Sequence, residues 1–278
     1  MQIIIAKNAG FCFGVKRAVD IVEKELGKKE KVYCLGQLIH NRQVIERLEE
    51  KGLVTVENME DIPDGAKFVV RSHGVAPEVV EKIKAKNGKI LDATCPFVRR
   101  AQLTAENFYL DGLDVVICGD SQHAEVIGIN ARTKNSATII SDPGEAKYLE
   151  FKKTVGVLSQ TTQKAELLKS TVNNLLEKNK KIIIENTICL DSSTKQAEVS
   201  ALAKEVDIMI IVGGKNSSNT GKLVQLSEAQ KIPTYHIEKS SELQKKWFGN
   251  IKKIGIAAGA STAKFLIDDV VDKINELC

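Results

Sequence analysis

The sequence predicts an α/β protein built as three pseudo-repeated lobes, each a small, mostly parallel four-stranded sheet flanked by helices. Apolar β-branched runs alternate with helix-period segments along all 278 residues, which is the pattern of parallel α/β units. The strands also fall into three rounds, with first strands near 32, 114 and 208 and closing strands near 89, 181 and 3. The third round has only three strands of its own. The opening strand Ile3 to Ala6 has no partner in the first round and supplies the missing one. A repeat of roughly 90 residues follows, visible in spacing and hardly in identity. The lobes are then 14–96, 97–190 and 191–278, the last completed by residues 1–13.

In order, the first round has a helix from Val15 to Leu26, the strand Val32 to Leu35 and a helix from Asn41 to Glu50. Strands at Leu53–Val56, Phe68–Arg71 and Lys89–Leu91 follow, with a helix from about Pro77 to Lys86. The second round runs through a helix at Val98–Leu110, the strand Asp114–Cys118 and a helix beginning near His123. It continues with strands at Ala137–Ile140, Thr154–Leu158 and Lys181–Ile184 and a helix at Lys164–Leu176. In the third, helices at Ala197–Lys204, Gly221–Gln230 and Ala263–Leu277 alternate with strands at Ile208–Val212, Thr234–Ile237 and Lys253–Ala257.

Composition narrows the class. With 43% hydrophobic and 27% charged residues, the chain reads as an ordinary globular protein. No apolar run approaches the ~20 residues of a membrane span, and the start Met-Gln-Ile-Ile-Ile-Ala-Lys lacks a secretory signal. A cytoplasmic location without membrane attachment is expected, and in that reducing compartment the six cysteines are reduced or metal-bound. The net charge of +4 is mild. The runs Lys28-Lys29 and Lys178 to Lys181 read as solvated surface, and no nucleic-acid partner is expected. No phosphate-loop or dinucleotide fingerprint occurs.

The chemistry gathers at strand ends, where parallel α/β units bind ligands. Cys12, Cys95 and Cys189 fall at equivalent places past the three closing strands. His40, His73 and His123, together with Glu125, Thr161, Ser217, Ser218, Asn219 and Ser261, follow other strands at the same ends. Many stand where helices start, and N–H groups there suit an anion. Three lobes facing one centre bring three thiolates and an anion site together. Such thiolates hold zinc or an iron–sulfur cluster. Without local Cys-x-x-Cys pairs or a fourth cysteine in register, the spacing suggests a four-iron cluster with one open iron. Zinc, and cysteines that merely pack, stay open at this point. Cys34 and Cys118 sit inside apolar strands and read as core, and Cys278 as idle. Glu125 reads either as a proton donor or as an ordinary surface carboxylate of its helix.

The motifs together resemble one family. Ala9-Gly10-Phe11-Cys12-Phe13-Gly14-Val15, Leu38-Ile39-His40-Asn41, Arg71-Ser72-His73-Gly74-Val75 and Asp92-Ala93-Thr94-Cys95-Pro96 come first. His123-Ala124-Glu125-Val126, Gln160-Thr161-Thr162, Ile188-Cys189, Asn216-Ser217-Ser218-Asn219 and Ala258-Gly259-Ala260-Ser261 follow in the same order. This set is similar to that of the 4-hydroxy-3-methylbut-2-enyl diphosphate reductases, over the whole chain.

The resemblance implies three lobes around a [4Fe–4S] cluster and the last step of the non-mevalonate isoprenoid pathway. That step reductively removes an allylic hydroxyl, giving isopentenyl and dimethylallyl diphosphates. It implies Cys12, Cys95 and Cys189 as cluster ligands, and His40, His73, His123, Ser217, Asn219 and Ser261 on the diphosphate, with Ser218 and Ser192 close by. Glu125 would deliver protons and Thr161 would position the substrate hydroxyl or a water. The open iron would act as a Lewis acid and the electrons would pass one at a time. A ferredoxin or flavodoxin is the implied donor, and the expected state is a monomer without an appended RNA-binding module. Phe11 and Phe13 would wall the cluster from water.

One stretch departs from the family pattern. Leu190-Asp191-Ser192-Ser193-Thr194-Lys195-Gln196 stands where Ala-Thr and a later Arg-Gln are more usual. Two other readings compete with the reductase: a non-redox iron–sulfur dehydratase, and a zinc or phosphate-binding protein without catalysis.

Overall fold

A computed structural model describes residues 1–28 and 30–278; Lys29, of the Lys28-Lys29 pair, lies outside the described residues. The strands are β1 (Gln2–Ile5), β2 (Val32–Leu35), β3 (Leu53–Val56), β4 (Lys67–Val70), β5 (Lys89–Asp92) and β6 (Asp114–Cys118). They continue as β7 (Thr138–Ile140), β8 (Val155–Ser159), β9 (Ile182–Ile184), β10 (Ile208–Val212), β11 (Thr234–Ile237) and β12 (Lys253–Ala258). The helices are α1 (Phe13–Leu26), α2 (Arg42–Glu50), α3 (Pro77–Ala85), α4 (Pro96–Leu110) and α5 (Ala124–Asn130). The last four are α6 (Ala165–Leu176), α7 (Leu190–Leu202), α8 (Ser218–Glu228) and α9 (Lys264–Leu277).

The strands form three four-stranded sheets, ordered β3-β2-β4-β5, β7-β6-β8-β9 and β11-β10-β12-β1, and every pairing is parallel. The expected repeat is therefore real. In each sheet the first strand of the round lies second in the order and the closing strand lies at the edge. The N-terminal strand takes that edge in the third sheet, pairing Gln2 with Lys253 through Ile5 with Ile256.

The chain forms two compact units. One holds Met1–Lys16, His40–Arg47 and Leu190–Cys278; the other holds Arg17–Ile39 and Leu48–Cys189. In the first unit, alternate residues of β10 face opposite ways, as a strand's period of two requires. Ile208, Ile210 and Val212 pack with Ile254, Ile256 and α9 (Ile267, Val270, Ile274). Met209 and Ile211 pack on the other side with Val199 and Leu202 of α7, with Ala203 just after that helix, and with Leu223 of α8. Burial on both faces explains the uninterrupted apolar run. The second unit holds the other two sheets, with cores around Phe68, Val70 and Ile83 and around Ile117, Leu158 and Phe108.

Most elements lie within a few residues of their expected places. The exception is α7, expected from Ala197 and found to begin at Leu190. Ser192, Ser193 and Thr194 favour turns over helix interiors, so local propensity hid its first two turns. Tertiary contacts made by Lys195, described below, hold them. Lys178, Lys180 and Lys181 are exposed, as expected.

Cys34 and Cys118 are fully buried core residues. Burial pushes the Cys34 thiol from 9.0 up to about 12 and the Cys118 thiol up to about 11. Both folded values lie above the unfolded one, so their stabilisation is complete below pH 9 and is lost as pH rises further. Denaturant titrations are expected to show stability falling between about pH 9 and 12. Thiol reagents at pH 8 are expected to reach these two cysteines only on unfolding.

Candidate active site

Each candidate cysteine sits in a turn between a closing edge strand and a helix. In the first unit, β1 leads to Gly10, whose φ of +101° suits only glycine. A Cβ there would meet the Thr262 carbonyl and the Ile267 side chain at 3.3 Å. The Cys12 N–H donates to the Ala260 carbonyl (3.0 Å), and the Val15 N–H donates to Cys12 Sγ at 3.4 Å. This last contact ties the Cys12 sulfur to a free N–H at the start of α1. Phe11 is half-buried, whereas Phe13 is 65% exposed. The expected dry wall thus excludes Phe13, because a residue opening a helix with its neighbours Gly14 and Val15 turned inward faces outward itself.

In the second unit Cys95 caps α4, with Pro96 as the first helical residue. Burial raises its thiol pKa most, the N–H groups of Phe97 and Val98 lower it, and the nearby Cys189 and Glu125 raise it again. Two thiols and a carboxylate thus share one region and repel one another when ionised. A cationic centre relieves that repulsion, so the donor set fits a metal or cluster.

Glu125 is 1% exposed, which settles against the surface-carboxylate alternative. Its Oε1 accepts the Thr161 N–H (2.6 Å) and its Oε2 accepts the Thr161 hydroxyl (2.9 Å). The Thr161 carbonyl in turn accepts the Cys189 N–H at 2.9 Å. A buried acid, a hydroxyl and a candidate ligand cysteine are therefore linked within one short chain of bonds. His123 caps α5, its Nδ1 accepting the Glu125 N–H at 3.1 Å. That bond assigns the ring proton of the neutral form to Nε2, making that nitrogen the donor. The His73 and His123 rings meet edge-on, with centroids 5.5 Å apart.

The remaining candidates lie in the first unit. The Ser261 hydroxyl donates to the His40 carbonyl (2.8 Å), and Gly214 approaches the same carbonyl so closely that a Cβ would sit 2.7 Å from it. Loops after β2, β10 and β12 are thus drawn together. Asn41 caps α2 by accepting the Val44 N–H (3.1 Å), and Ser217 caps α8 by accepting the Thr220 N–H (3.3 Å). Asn219, only 5% exposed, has neither amide atom hydrogen-bonded. Such a group costs stability unless a ligand satisfies it. Ser218 accepts from Lys222 Nζ at 2.6 Å, and Ser192 is buried on the first turn of α7. The fourth histidine, His236, bonds through Nε2 to the Gly213 carbonyl (2.9 Å), a structural role.

The sequence did not single out the cations that hold the cysteine turns. Arg17 donates to the carbonyls of Thr94 and Asp92, both at 3.2 Å. Lys195 donates to those of Asn8 and Gly10. A positive residue five or six places after a candidate cysteine was the available signal. No helix among the described residues is long and apolar enough to cross a membrane.

Comparison with known proteins gives concordant matches. A family model described as LytB protein matches residues 3–275. A 4-hydroxy-3-methylbut-2-enyl diphosphate reductase of Geobacter metallireducens is 43% identical over 277 residues, covering 100% of this chain and 98% of that protein. One from Clostridioides difficile is 43% identical over 280 residues, covering 100% of both. A solved (E)-4-hydroxy-3-methyl-but-2-enyl diphosphate reductase, described as the terminal enzyme of the non-mevalonate pathway, is 41% identical with a TM-score of 0.71, covering 99% of both chains. The Plasmodium falciparum E-1-hydroxy-2-methyl-but-2-enyl-4-diphosphate reductase is 27% identical with a TM-score of 0.91, covering 99% of this chain and 87% of that one.

Proposed function

The chain belongs to the LytB family of 4-hydroxy-3-methylbut-2-enyl diphosphate reductases and is an oxidoreductase of that family; on that premise we propose the reaction and its residues. The chain reductively dehydroxylates (E)-4-hydroxy-3-methylbut-2-enyl diphosphate, the terminal step of the non-mevalonate pathway. The C–O bond of the allylic alcohol breaks, two electrons and two protons enter, and water leaves with isopentenyl or dimethylallyl diphosphate. Cys12, Cys95 and Cys189 hold a [4Fe–4S] cluster. When bound, that group supplies the electrons one at a time and an open iron as Lewis acid. The three lobes 14–96, 97–190 and 191–278 with 1–13 are the units of the repeat. An external donor such as ferredoxin or flavodoxin feeds a cytoplasmic monomer.

The observation that carries this reading is the buried Glu125–Thr161 pair tied to Cys189. A buried carboxylate is costly unless it is hydrogen-bonded, and both oxygens of Glu125 accept from Thr161. Glu125 holds the proton, and the Thr161 hydroxyl positions the departing oxygen and closes the path from the acid to it. His40, His73, His123, Ser217, Asn219 and Ser261 bind the diphosphate, with Ser192 and Ser218 beside them. The N-terminus of α8 adds N–H groups and its dipole. With Nδ1 accepting the Glu125 N–H, the Nε2–H of His123 serves as a donor to a phosphate oxygen.

Metal analysis of anaerobically prepared protein tests the cofactor. About four iron and four sulfide per chain are expected; zinc without sulfide would support a non-catalytic metal protein instead. The clamp has its own test in Asn219→Leu. Removing an amide with no partner is expected to leave the melting temperature unchanged or raised. The same change is expected to weaken diphosphate binding about tenfold or more, read by calorimetry. A variant that binds as well as the parent would remove Asn219 from the clamp.

A further inference from the structure

The turns that carry two of the cysteines are each gripped by a cation from a helix that follows another. Arg17 stands five residues after Cys12 on α1, and its guanidinium donates to the Asp92 and Thr94 carbonyls just ahead of Cys95, both at 3.2 Å. Lys195 stands six residues after Cys189 on α7, and its ammonium donates to the Asn8 carbonyl and to the Gly10 carbonyl (3.1 Å), just ahead of Cys12. One helical turn on, Glu198 accepts the N–H groups of Lys7 and Asn8 (the latter 3.0 Å). Carbonyls and N–H groups of the same turn are thus held from one face of α7.

Lys195 is only 3% exposed. A buried ammonium is costly unless its charge is met, and Asp191 Oδ2 lies 3.7 Å away. This gives the unusual Asp191 a place: it is the counter-charge of Lys195, one turn earlier on the same helix. The third cation in the pattern, Arg100, stands five residues after Cys95 and reaches Glu185, ahead of Cys189, at 3.4 Å. Both of those side chains are largely exposed, and such a pair is worth little. It grips no backbone.

We propose that Lys195 and Arg17 are positioning residues for the cluster: Lys195 fixes the turn of Cys12 and Arg17 that of Cys95, each by holding backbone carbonyls. The inference rests on those cysteines being cluster ligands. Each cation also brings fixed positive charge to the backbone of its cysteine turn, which favours the reduced state of a cluster bound there, since net charge and hydrogen bonding set cluster potentials. Arg100 contributes neither effect.

Alkylation of the cluster-free protein, mapped by mass spectrometry, reads the grip directly. Lys195→Met is expected to make Cys12 react about tenfold faster, with Cys95 unchanged. Arg17→Met is expected to do the reverse, and Arg100→Ala to change neither. In cluster-loaded protein, Lys195→Met is expected to shift the midpoint potential negative, with Lys195→Arg restoring it. If Lys195→Met does not fold because Asp191 is left without its partner, Asp191→Ala/Lys195→Met removes both charges and gives the same alkylation pattern. Unchanged Cys12 reactivity in these variants would overturn the proposal, as would equal acceleration at both cysteines. Iron and sulfide in the parent chain test the cluster separately, so the two ideas fail by different results.

Discussion

Glu125→Gln is expected to lower turnover by about 10²–10⁴-fold, the range that a positioned general acid supplies, while iron content and diphosphate affinity stay near those of the parent. Glutamine keeps the shape of the side chain. Its carbonyl still accepts from Thr161, where Glu125 Oε1 and Oε2 now take the N–H at 2.6 Å and the hydroxyl at 2.9 Å. What it loses is the acidic proton. Single-turnover reduction read against binding therefore separates the two roles. A variant with the parent's rate would remove Glu125 from the reaction. Thr161→Val is the companion change: it deletes one hydroxyl, leaves the backbone bond to Cys189 in place and is expected to cost less than Glu125→Gln.

Serine in place of Cys12, Cys95 or Cys189 is expected to abolish most cluster binding. A thiolate ligates because its proton is easily lost, and a serine hydroxyl keeps its proton at neutral pH. At Cys95 burial, together with the nearby Cys189 and Glu125, already disfavours an anion, so an alkoxide there is less accessible still. Iron and sulfide assays on anaerobically reconstituted variants are expected to show well under half the parent's content. Cys34, Cys118 and Cys278 are the internal controls. Cys34→Ser and Cys118→Ser bury a hydroxyl in a strand at a cost of about 1–3 kcal/mol, lowering stability without emptying the cluster. Cys278→Ser, at the exposed C-terminus, is expected to change nothing. Full cluster retention in Cys12→Ser would contradict the ligand assignment.

Much of this was legible in the sequence because the fold repeats. Parallel strands buried on both faces write themselves as apolar runs such as Ile208 to Val212, and three evenly spaced rounds of them expose the topology. The edge position of β1 followed from counting strands. Cys12, Cys95 and Cys189 could be sorted from Cys34 and Cys118 because turns and strand interiors differ in sequence. Polar geometry was less legible. Whether Glu125 lay on the surface or inside depends on packing by Thr161, a residue 36 positions away. The first two turns of α7 and the exposure of Phe13 depend equally on distant contacts. The roles of Lys195 and Arg17 were hidden for the same reason: a single cation on a helix carries no mark of the carbonyls it meets.

The most direct measurement is an anaerobic assay of iron-loaded protein with (E)-4-hydroxy-3-methylbut-2-enyl diphosphate, run with and without a strong one-electron reductant. With reductant, the substrate is expected to disappear and isopentenyl and dimethylallyl diphosphates to form; without it, neither is expected. Conversion that needs no reductant would point to a dehydratase. A cluster-loaded chain that binds the substrate and never reduces it would contradict the account.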